Sequence, residues 1–218
     1  GQAIRAVAIA GTSGSILLSD AEGRPLTEGL MYHDARARPQ ADRIREIAPP
    51  ASGAHGATSG LAKLLWLVQA GLPAAAAHCL NQADWLAARL SGLFGHSDEN
   101  NALKLGYDPV ARQWPSWLQD LALPWELLPQ VHPPGTVLAT LHPALAREWG
   151  LLAETRVVAG TTDSIAAFLA TGAGAIGDAV TSLGSTLAVK LLSERPVYAP
   201  EFGVYSHRLG SRWLAGGA

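Results

Sequence analysis

Residues 156–171 read RVVAGTTDSIAAFLAT, and this stretch decides the fold. Residues 156–159, with the β-branched Val157 and Val158, indicate a buried strand, and residues 164–171 indicate an apolar helix that ends at the Gly-Ala-Gly of residues 172–174. A strand that leads into a helix through a short polar turn is the building unit of α/β proteins. The sequence therefore predicts an α/β fold in which Asp163 lies in the first turn of a helix.

The flanking segments predict mixed sheets with helices. Residues 4–10 and 16–18 indicate two strands joined by a polar turn, so we expect the chain to open with an antiparallel β segment. Further on, the patterns predict a helix from residue 39 that ends at Pro49-Pro50, two helices within residues 64–83, a helix over 84–90, short helices and packed loops over 106–150, and strands at 179–183 and 187–192.

Composition excludes several classes of protein. Hydrophobic residues make up 48% and charged residues 16% of the 218 residues, which is the balance of a globular protein and not of a disordered one. A formal charge of −2 does not favour a nucleic acid or an anionic membrane as partner. The single Cys79 cannot form an internal disulfide or a multi-cysteine metal site. No leader segment is recognisable, so we expect a cytoplasmic protein that binds a small molecule.

Asp163 is the strongest catalytic candidate. In the first turn of a helix, free backbone N–H groups and the helix dipole stabilise a carboxylate, which can then orient a substrate hydroxyl and accept its proton. Phosphoryl transfer depends mostly on positioning and charge, so such a base suits that reaction. The alternative is that Asp163 only caps the helix, and local pattern alone favours that alternative.

Two hydroxyl-rich turns are candidate binding sites. Gly184, Ser185 and Thr186 lie between two predicted strands, where N–H groups and hydroxyls can receive phosphate oxygens. Thr12 and Ser13 follow the first predicted strand and suit recognition of a polyol. Both segments can equally be ordinary turns, since Ser, Thr and Gly populate turns for local reasons.

Two further polar segments have competing interpretations. The loop that carries Asp34 and Arg36 has the donor and acceptor density of a sugar site, but it can also be a surface loop with an ion pair of little energetic value. Residues 97–101, SDENN, are either the start of a helix or a polar lining, and the helix start is favoured. The sequence contains no Walker-type loop, no G-x-S-x-G and no H-E-x-x-H, so no metal ligands are predicted.

Taken in order, the segments resemble the FGGY family of carbohydrate kinases, and within it the ribulokinase-like and xylulokinase-like branch. The matching segments cover nearly the whole chain: GTSG (11–14), DAEGRPL (20–26), YHDAR (32–36), KLLWL (63–67), ADWL (83–86), SDENNA (97–102), LP (128–129), PGTV (134–137), VVAGTTD (157–163), GDAVTSLGST (177–186) and GGA (216–218).

The resemblance implies a ribonuclease H-like fold of the sugar kinase, hexokinase and actin ATPase class, which closes on ATP, Mg²⁺ and a sugar. It places Asp163 on the catalytic base and residues 184–186 on a phosphate-binding loop. More loosely, it places Asp34 and Arg36 near the sugar, with Thr12 and Ser13 on a turn that faces it.

The family is about twice as long as this chain, which lacks the first D-x-G-T strand and the adenosine-binding segment of the family. The expected domains are residues 1–176, the sugar-binding N-terminal domain without its first strands, and 177–218, the start of the nucleotide-binding domain. We expect the isolated chain to be poorly stable or to associate, and a homodimer is left open.

Three functions from different classes follow from these patterns. The leading hypothesis is ATP-dependent phosphorylation of a sugar or polyol, with a ketopentose such as ribulose or xylulose as the favoured substrate; activity of the 218-residue chain alone is left open. The second is a non-catalytic sugar-binding remnant of such a kinase. The third, a serine hydrolase that uses Ser13, lacks a recognisable base and oxyanion hole.

Overall fold

The structure is a computed structural model that describes residues 4–183 and 187–217. Within that part, the strands are β1 (Ala6–Gly11), β2 (Ile16–Ser19), β3 (His78–Asn81), β4 (His96–Asp98), β5 (Gln130–His132), β6 (Val137–Thr140), β7 (Arg156–Thr162), β8 (Ala179–Leu183), β9 (Leu187–Ser193), β10 (Tyr205–Leu209) and β11 (Arg212–Gly217). The α-helices are α1 (Arg38–Ile47), α2 (Gly60–Gln69), α3 (Gln82–Ser91), α4 (Pro143–Trp149) and α5 (Asp163–Ala170). Short 3-10 helices cover Ala102–Leu105, Ser116–Leu121, Trp125–Leu127 and Pro200–Phe202.

A three-stranded sheet in the order β1-β7-β6 forms the centre of the fold. β1 runs parallel to β7, with a register shift between Ala8 and Ala10, and β6 runs antiparallel to β7. Gly160 makes the close approach of β1 and β7 possible, because a Cβ atom there would lie 1.9 Å from the carbonyl oxygen of Ile9.

A second sheet, in the order β10-β11-β9-β8, is antiparallel throughout and packs against α5. Its contact with the helix is a small apolar core of Ile165 and Phe168 from α5 and Leu192 and Leu214 from the sheet. The opposite face of this sheet carries exposed apolar side chains at Leu187, Val189 and Leu191. Burial of this apolar surface therefore holds the helix that begins at Asp163 against the second sheet.

The largest apolar core lies around α1 and α2. Ile44 of α1 and Leu61 and Leu64 of α2 are completely buried there, together with Leu18 of β2. The polar side of α1 faces outward, as its pattern predicts. Ser59 caps the N-terminus of α2, because its hydroxyl accepts a hydrogen bond from the backbone N–H of Ala62 at 3.1 Å.

The expected antiparallel β segment at the start of the chain is confirmed only from β2 onward, where Ser19 lies opposite Pro25 and the N–H of Leu26 donates to the carbonyl oxygen of Leu18 at 2.8 Å. A pairing of the first two predicted strands with each other is wrong. β1 pairs with β7, whereas β2 pairs antiparallel with β3, with Leu18 opposite Cys79.

The second helix expected within residues 64–83 is also wrong, because residues 78–81 form β3 instead. The apolar run at residues 78–81 is too short to distinguish a helix from a strand by its pattern alone. Hydrogen bonding to β2 stabilises the strand.

Other predictions have mixed outcomes. The helices α1, α2 and α3, the strands β7 to β9 and the helix α5 are confirmed. Residues 106–150 do contain short helices, but β5 and β6 show that the expected absence of strands there is wrong. The strands β10 and β11 were not predicted. Among the residues that the structure describes, no helix has the length and apolar character needed to cross a membrane.

Candidate functional site

The parallel pairing of β1 and β7 brings two of the predicted site segments together. Gly11, the last residue of β1, lies in register with Thr162, the last residue of β7. The segments that follow both strands therefore leave the same edge of the sheet about 5 Å apart. One of them is the turn with Thr12 and Ser13, and the other begins α5 with Asp163. Ligands of α/β proteins bind at this carboxyl edge.

Asp163 is exposed at the start of α5. Its Oδ1 accepts a hydrogen bond from the backbone N–H of Ser164 at 2.7 Å, and Thr162 occupies the capping position before it. The prediction that Asp163 lies in the first turn of a helix is confirmed. Among the hydrogen bonds of the described residues, Oδ2 has no partner.

The turn after β1 is held by its own hydroxyls. Thr12 Oγ1 lies 2.7 Å from Ser15 Oγ, and the N–H of Ser15 donates to the carbonyl oxygen of Thr12 at 3.3 Å. Thr12 and Ser13 are half-buried. The hydrogen bonds among the described residues give Ser13 no histidine or carboxylate partner, so the arrangement that a serine hydrolase requires is not found in this part of the chain.

Asp34 and Arg36 form an ion pair within their loop. Arg36 Nη2 lies 2.8 Å from Asp34 Oδ2, and the Arg36 guanidinium lies 5.1 Å from the centre of the Trp66 ring. The hydrogen bonds that Arg36 donates lower the pKa of Asp34. The carboxylate of Asp34 is therefore ionised and held in one orientation, although its main partner is the neighbouring guanidinium.

Lys63 links the two predicted sugar-binding segments, and the sequence patterns did not single it out for this role. The side chain is completely buried in α2, and its Nζ donates to the carbonyl oxygens of Gly14 at 2.8 Å and of Met31 at 2.6 Å. Burial lowers the pKa of Lys63 to about 8, and the nearby carboxylate of Asp34 opposes that change. A single ammonium group thus fixes the turn after β1 relative to the loop of Asp34. A lone lysine in an apolar helical pattern is the signal that could have identified it.

The segment 97–101 is buried and reaches the end of β7. Asp98 accepts hydrogen bonds from the N–H groups of Asn100 and Asn101 at 2.9 and 3.0 Å, and a 3-10 helix follows, so the expected helix start is confirmed in a short form. Asn100 Nδ2 also donates to Thr161 Oγ1 at 3.2 Å, two residues before Asp163. The segment therefore supports the strand end that carries the candidate base.

Asp98 of this segment and Asp84 of α3 are two buried carboxylates. Burial raises the pKa of both Asp84 and Asp98. Asp84 Oδ2 accepts from Ser97 Oγ at 2.7 Å and from Asn81 Nδ2 at 2.9 Å. These hydrogen bonds connect β3, α3 and β4. Both carboxylates are buried, so neither is part of the protein surface.

The predicted phosphate turn, Gly184, Ser185 and Thr186, lies outside the described residues. The strands on either side of it are the antiparallel pair β8 and β9, in which Leu183 lies opposite Leu187. Within residues 4–183 and 187–217, no three His, Cys, Asp or Glu side chains converge in an arrangement that could hold a metal ion.

A cavity of about 370 Å³ lies beside the turn after β1. Lys104 and Thr58 line it, and a Cβ atom on Gly14 would lie 3.3 Å from Lys104 Cδ and 3.0 Å from the carbonyl oxygen of Thr58. Tyr205 of β10 forms part of the opposite wall. None of Thr12, Ser13, Asp34, Arg36 or Asp163 lines this cavity, so it adjoins the predicted site without coinciding with it.

Comparison with known proteins identifies a family. The model of the FGGY family of carbohydrate kinases, N-terminal domain, matches residues 1–170. The xylulose kinase of Escherichia coli is 28% identical over 97% of this chain and 46% of its own length. The autoinducer-2 kinase of Yersinia enterocolitica is 33% identical over 74% of this chain and 32% of its own.

The solved structures show the same fold. The xylulose kinase of Rhodospirillum rubrum superimposes with a TM-score of 0.85 at 24% identity, over 98% of this chain and 46% of that one. The architecture is the ribonuclease H-like α/β fold of the sugar kinase, hexokinase and actin ATPase class. The chain spans about half the length or less of the relatives that it matches. It belongs to the FGGY family of carbohydrate kinases.

Proposed function

We propose that this chain forms the acceptor-binding part of a kinase that transfers the terminal phosphoryl group of ATP to a hydroxyl of a sugar or polyol. The observation that carries the proposal is the register of Gly11 with Thr162, which brings the segments that begin at Thr12 and at Asp163 to the same edge of the sheet. An exposed carboxylate next to a polyol-binding turn is the arrangement that such a transfer requires.

In the proposed reaction Asp163 accepts the proton of the attacking hydroxyl. As the proton moves, the hydroxyl oxygen forms a bond to the terminal phosphorus of ATP, and the bond from that phosphorus to the bridging oxygen breaks, which releases ADP. Thr12 and Ser13 orient the acceptor from one side. Lys63 holds their turn against the loop of Asp34. Gly184, Ser185 and Thr186 are the proposed contacts to the transferred phosphoryl group, on the family resemblance alone.

The finer parts of the proposal rest on the relatives. The name xylulose kinase, carried by a relative that aligns with 97% of this chain, supports a ketopentose as acceptor. The domain division at residues 176 and 177 is supported by the family match, which ends at residue 170 before β8 begins a separate sheet. Mg²⁺ is proposed from the family alone, and no step is assigned to it.

Replacement of Asp163 tests the proposal directly. In the complete gene product that contains these residues, Asp163→Asn should lower kcat by about 10²- to 10⁴-fold, the contribution of a general base, and should leave ketopentose binding and the unfolding temperature nearly unchanged. ADP release measures the first effect and calorimetry the second.

Asp42→Asn is the matched control, because Asp42 is an exposed carboxylate on α1 whose side chain pairs only with Arg45 among the described residues. Turnover that survives Asp163→Asn removes Asp163 from the mechanism. Sugar binding by the wild-type protein with no ATP consumption supports the non-catalytic alternative.

A further inference from the structure

Two imidazole rings meet where β4 lies beside β5. His96 is the first residue of β4 and His132 the last residue of β5, and His96 Nδ1 lies 2.8 Å from His132 Nε2. The ring centres are 5.1 Å apart and the ring planes are inclined by 27°. Both residues are half-buried, so the pair lies at the border of the core and not inside it.

Backbone hydrogen bonds on both sides of the pair hold the two rings together. β4 and β5 run parallel, and Asp98 lies opposite His132. The N–H of Gln130 donates to the carbonyl oxygen of Gly95 at 2.8 Å, and the N–H of Glu99 donates to the carbonyl oxygen of His132 at 3.0 Å. The strand pairing therefore sets the approach of the two rings, as a binding site with preorganised ligands requires.

The two rings are each other's polar contact. Among the hydrogen bonds and ion pairs of the described residues, neither ring contacts a carboxylate, a hydroxyl or a backbone carbonyl group. Burial lowers the pKa of both His96 and His132, so both rings are neutral at neutral pH. In a neutral pair one nitrogen donates and the other accepts, so a single proton lies between the two rings.

The distance between the two nitrogens is close to the distance that one metal ion requires. Zinc–imidazole bonds are about 2.0–2.1 Å long, so two nitrogens on one ion are about 3.0 Å apart at a right angle and about 3.4 Å apart at the tetrahedral angle. The observed separation of 2.8 Å has to increase by only about 0.2–0.6 Å. Small rotations of the rings are sufficient for this change, and the strands keep their positions.

Binding of an ion requires a change of tautomer and no loss of a proton. The proton between the rings moves to the outer nitrogen of the ring that carries it, which leaves His96 protonated at Nε2 and His132 protonated at Nδ1. Both inner nitrogens then present a lone pair, which is the neutral form in which histidine binds metal ions.

A third imidazole is nearby but is not a ligand in this arrangement. A Cβ atom on Gly95 would lie 3.2 Å from His78 Nδ1, so His78 packs against the residue that precedes His96. Within residues 4–183 and 187–217, no hydrogen bond joins His78 to the pair, and no three metal-binding side chains converge. The arrangement therefore offers two protein ligands.

We propose that His96 Nδ1 and His132 Nε2 bind a divalent d-block cation, with Zn²⁺ as its representative, and that water completes the coordination. Imidazole nitrogen is a preferred ligand of Zn²⁺, Cu²⁺ and Ni²⁺, whereas Mg²⁺ and Ca²⁺ prefer oxygen. With two protein ligands instead of the four of a structural zinc site, we expect a dissociation constant on the order of 1–100 µM. The ion connects β4 to β5, whether or not the protein is a kinase.

Calorimetry with ZnCl₂ tests the site. The complete gene product is freed of metals with a chelator, the chelator is removed, and the protein is titrated at neutral pH without nucleotide or sugar. Each of His96→Gln and His132→Gln should weaken Zn²⁺ binding by at least about 10-fold, because even loss of a residue that only supports a metal ligand has that effect. His55→Gln is the matched control and should keep the affinity, since it removes a half-buried imidazole whose Nε2 lies 3.0 Å from the carbonyl oxygen of Pro49.

Unfolding temperatures separate loss of a ligand from loss of the fold. Without metal, His96→Gln and His132→Gln should unfold within about 2 °C of the wild type, since each loses one hydrogen bond. With Zn²⁺ at about 100 times its dissociation constant, the wild type and His55→Gln should unfold about 2–4 °C higher, and the two pair variants should not change.

Electron paramagnetic resonance of bound Cu²⁺ tests the ligands without a substitution. At less than one equivalent of Cu²⁺, the spectrum of the wild type should show coupling to two imidazole nitrogens, because Cu²⁺ favours the same donors. A spectrum without this coupling overturns the proposal even where a variant does not fold. Zn²⁺ binding that is absent from the wild type, or that keeps its affinity in both pair variants, overturns it as well and leaves the pair as a hydrogen bond between two rings.

Discussion

At the scale of single residues, the least predictable contribution comes from Lys63. Its sequence context is an apolar helix, which identifies a core position but not the carbonyl groups that the ammonium contacts. Those carbonyls belong to Gly14 and Met31, which lie far from Lys63 along the chain and meet it only in the folded protein. Asp163 is the opposite case, since its position between a strand and a helix is a local pattern.

Lys63 should give the protein a pH-dependent stability in the alkaline range. Its folded pKa is lowered to about 8 from an ordinary value of 10.5, so between these values the unfolded chain binds the proton that the folded chain has released. The free energy of unfolding therefore rises with pH in this window. Relative to Lys63→Met, the wild type should gain on the order of 1–3 kcal/mol between pH 8 and pH 10.5, measured by urea unfolding at each pH.

The comparison with Lys63→Met is needed because other groups titrate in the same range. Arg147→Met gives the matched control and should show the same pH dependence as the wild type. A constant difference between the wild type and Lys63→Met across this window would show that the ammonium keeps its ordinary pKa.

At the scale of elements, prediction from sequence succeeded where the information is local. The strand, turn and helix over residues 156–170 and the hairpin of β8 and β9 follow from short patterns of apolar residues, turns and caps. The pairing of β1 with β7 cannot be predicted in this way, because neither strand contains a local pattern that specifies which strand it pairs with. The same limitation explains why β3 was mistaken for part of a helix and why β5 and β6 were missed.

The contact between β1 and β7 should be sensitive to a single methyl group. Gly160→Ala would place a Cβ atom 1.9 Å from the Ile9 carbonyl oxygen, so the strands must separate locally. We expect a loss of about 1–3 kcal/mol in the free energy of unfolding, measured by urea denaturation, as for other overpacked positions. A loss of turnover should accompany it, since the register of these strands positions Asp163.

Gly29→Ala is the control for that variant, because the Cβ position at Gly29 has no atom within 4 Å. Equal stability of the two variants would contradict the close approach of β1 and β7.

At the scale of the whole molecule, apolar surface is exposed on the outer face of the second sheet. Leu187 is 56% and Val189 is 44% exposed on β9, and β1 forms an edge of the central sheet. Exposed apolar faces and free strand edges favour association. The structural features thus support the expectation, drawn from the sequence, that the isolated chain associates.

Association of the 218-residue chain should depend on this face. We expect its average mass in sedimentation equilibrium to rise with concentration, and Val189→Lys to suppress that rise by placing a charge in the patch. Val110→Lys, at an exposed apolar residue in a loop, is the matched control. A monomer mass that does not change with concentration in the wild type would contradict the prediction.

The long separation between β1 and its partner also has a consequence for biosynthesis. Ala6 pairs with Arg156, so β1 leaves the ribosome well before the segment that completes its hydrogen bonds. At ordinary translation rates this interval lasts on the order of 10 s, during which the nascent chain exposes an unpaired strand. The central sheet can therefore form only after β7 has been synthesised.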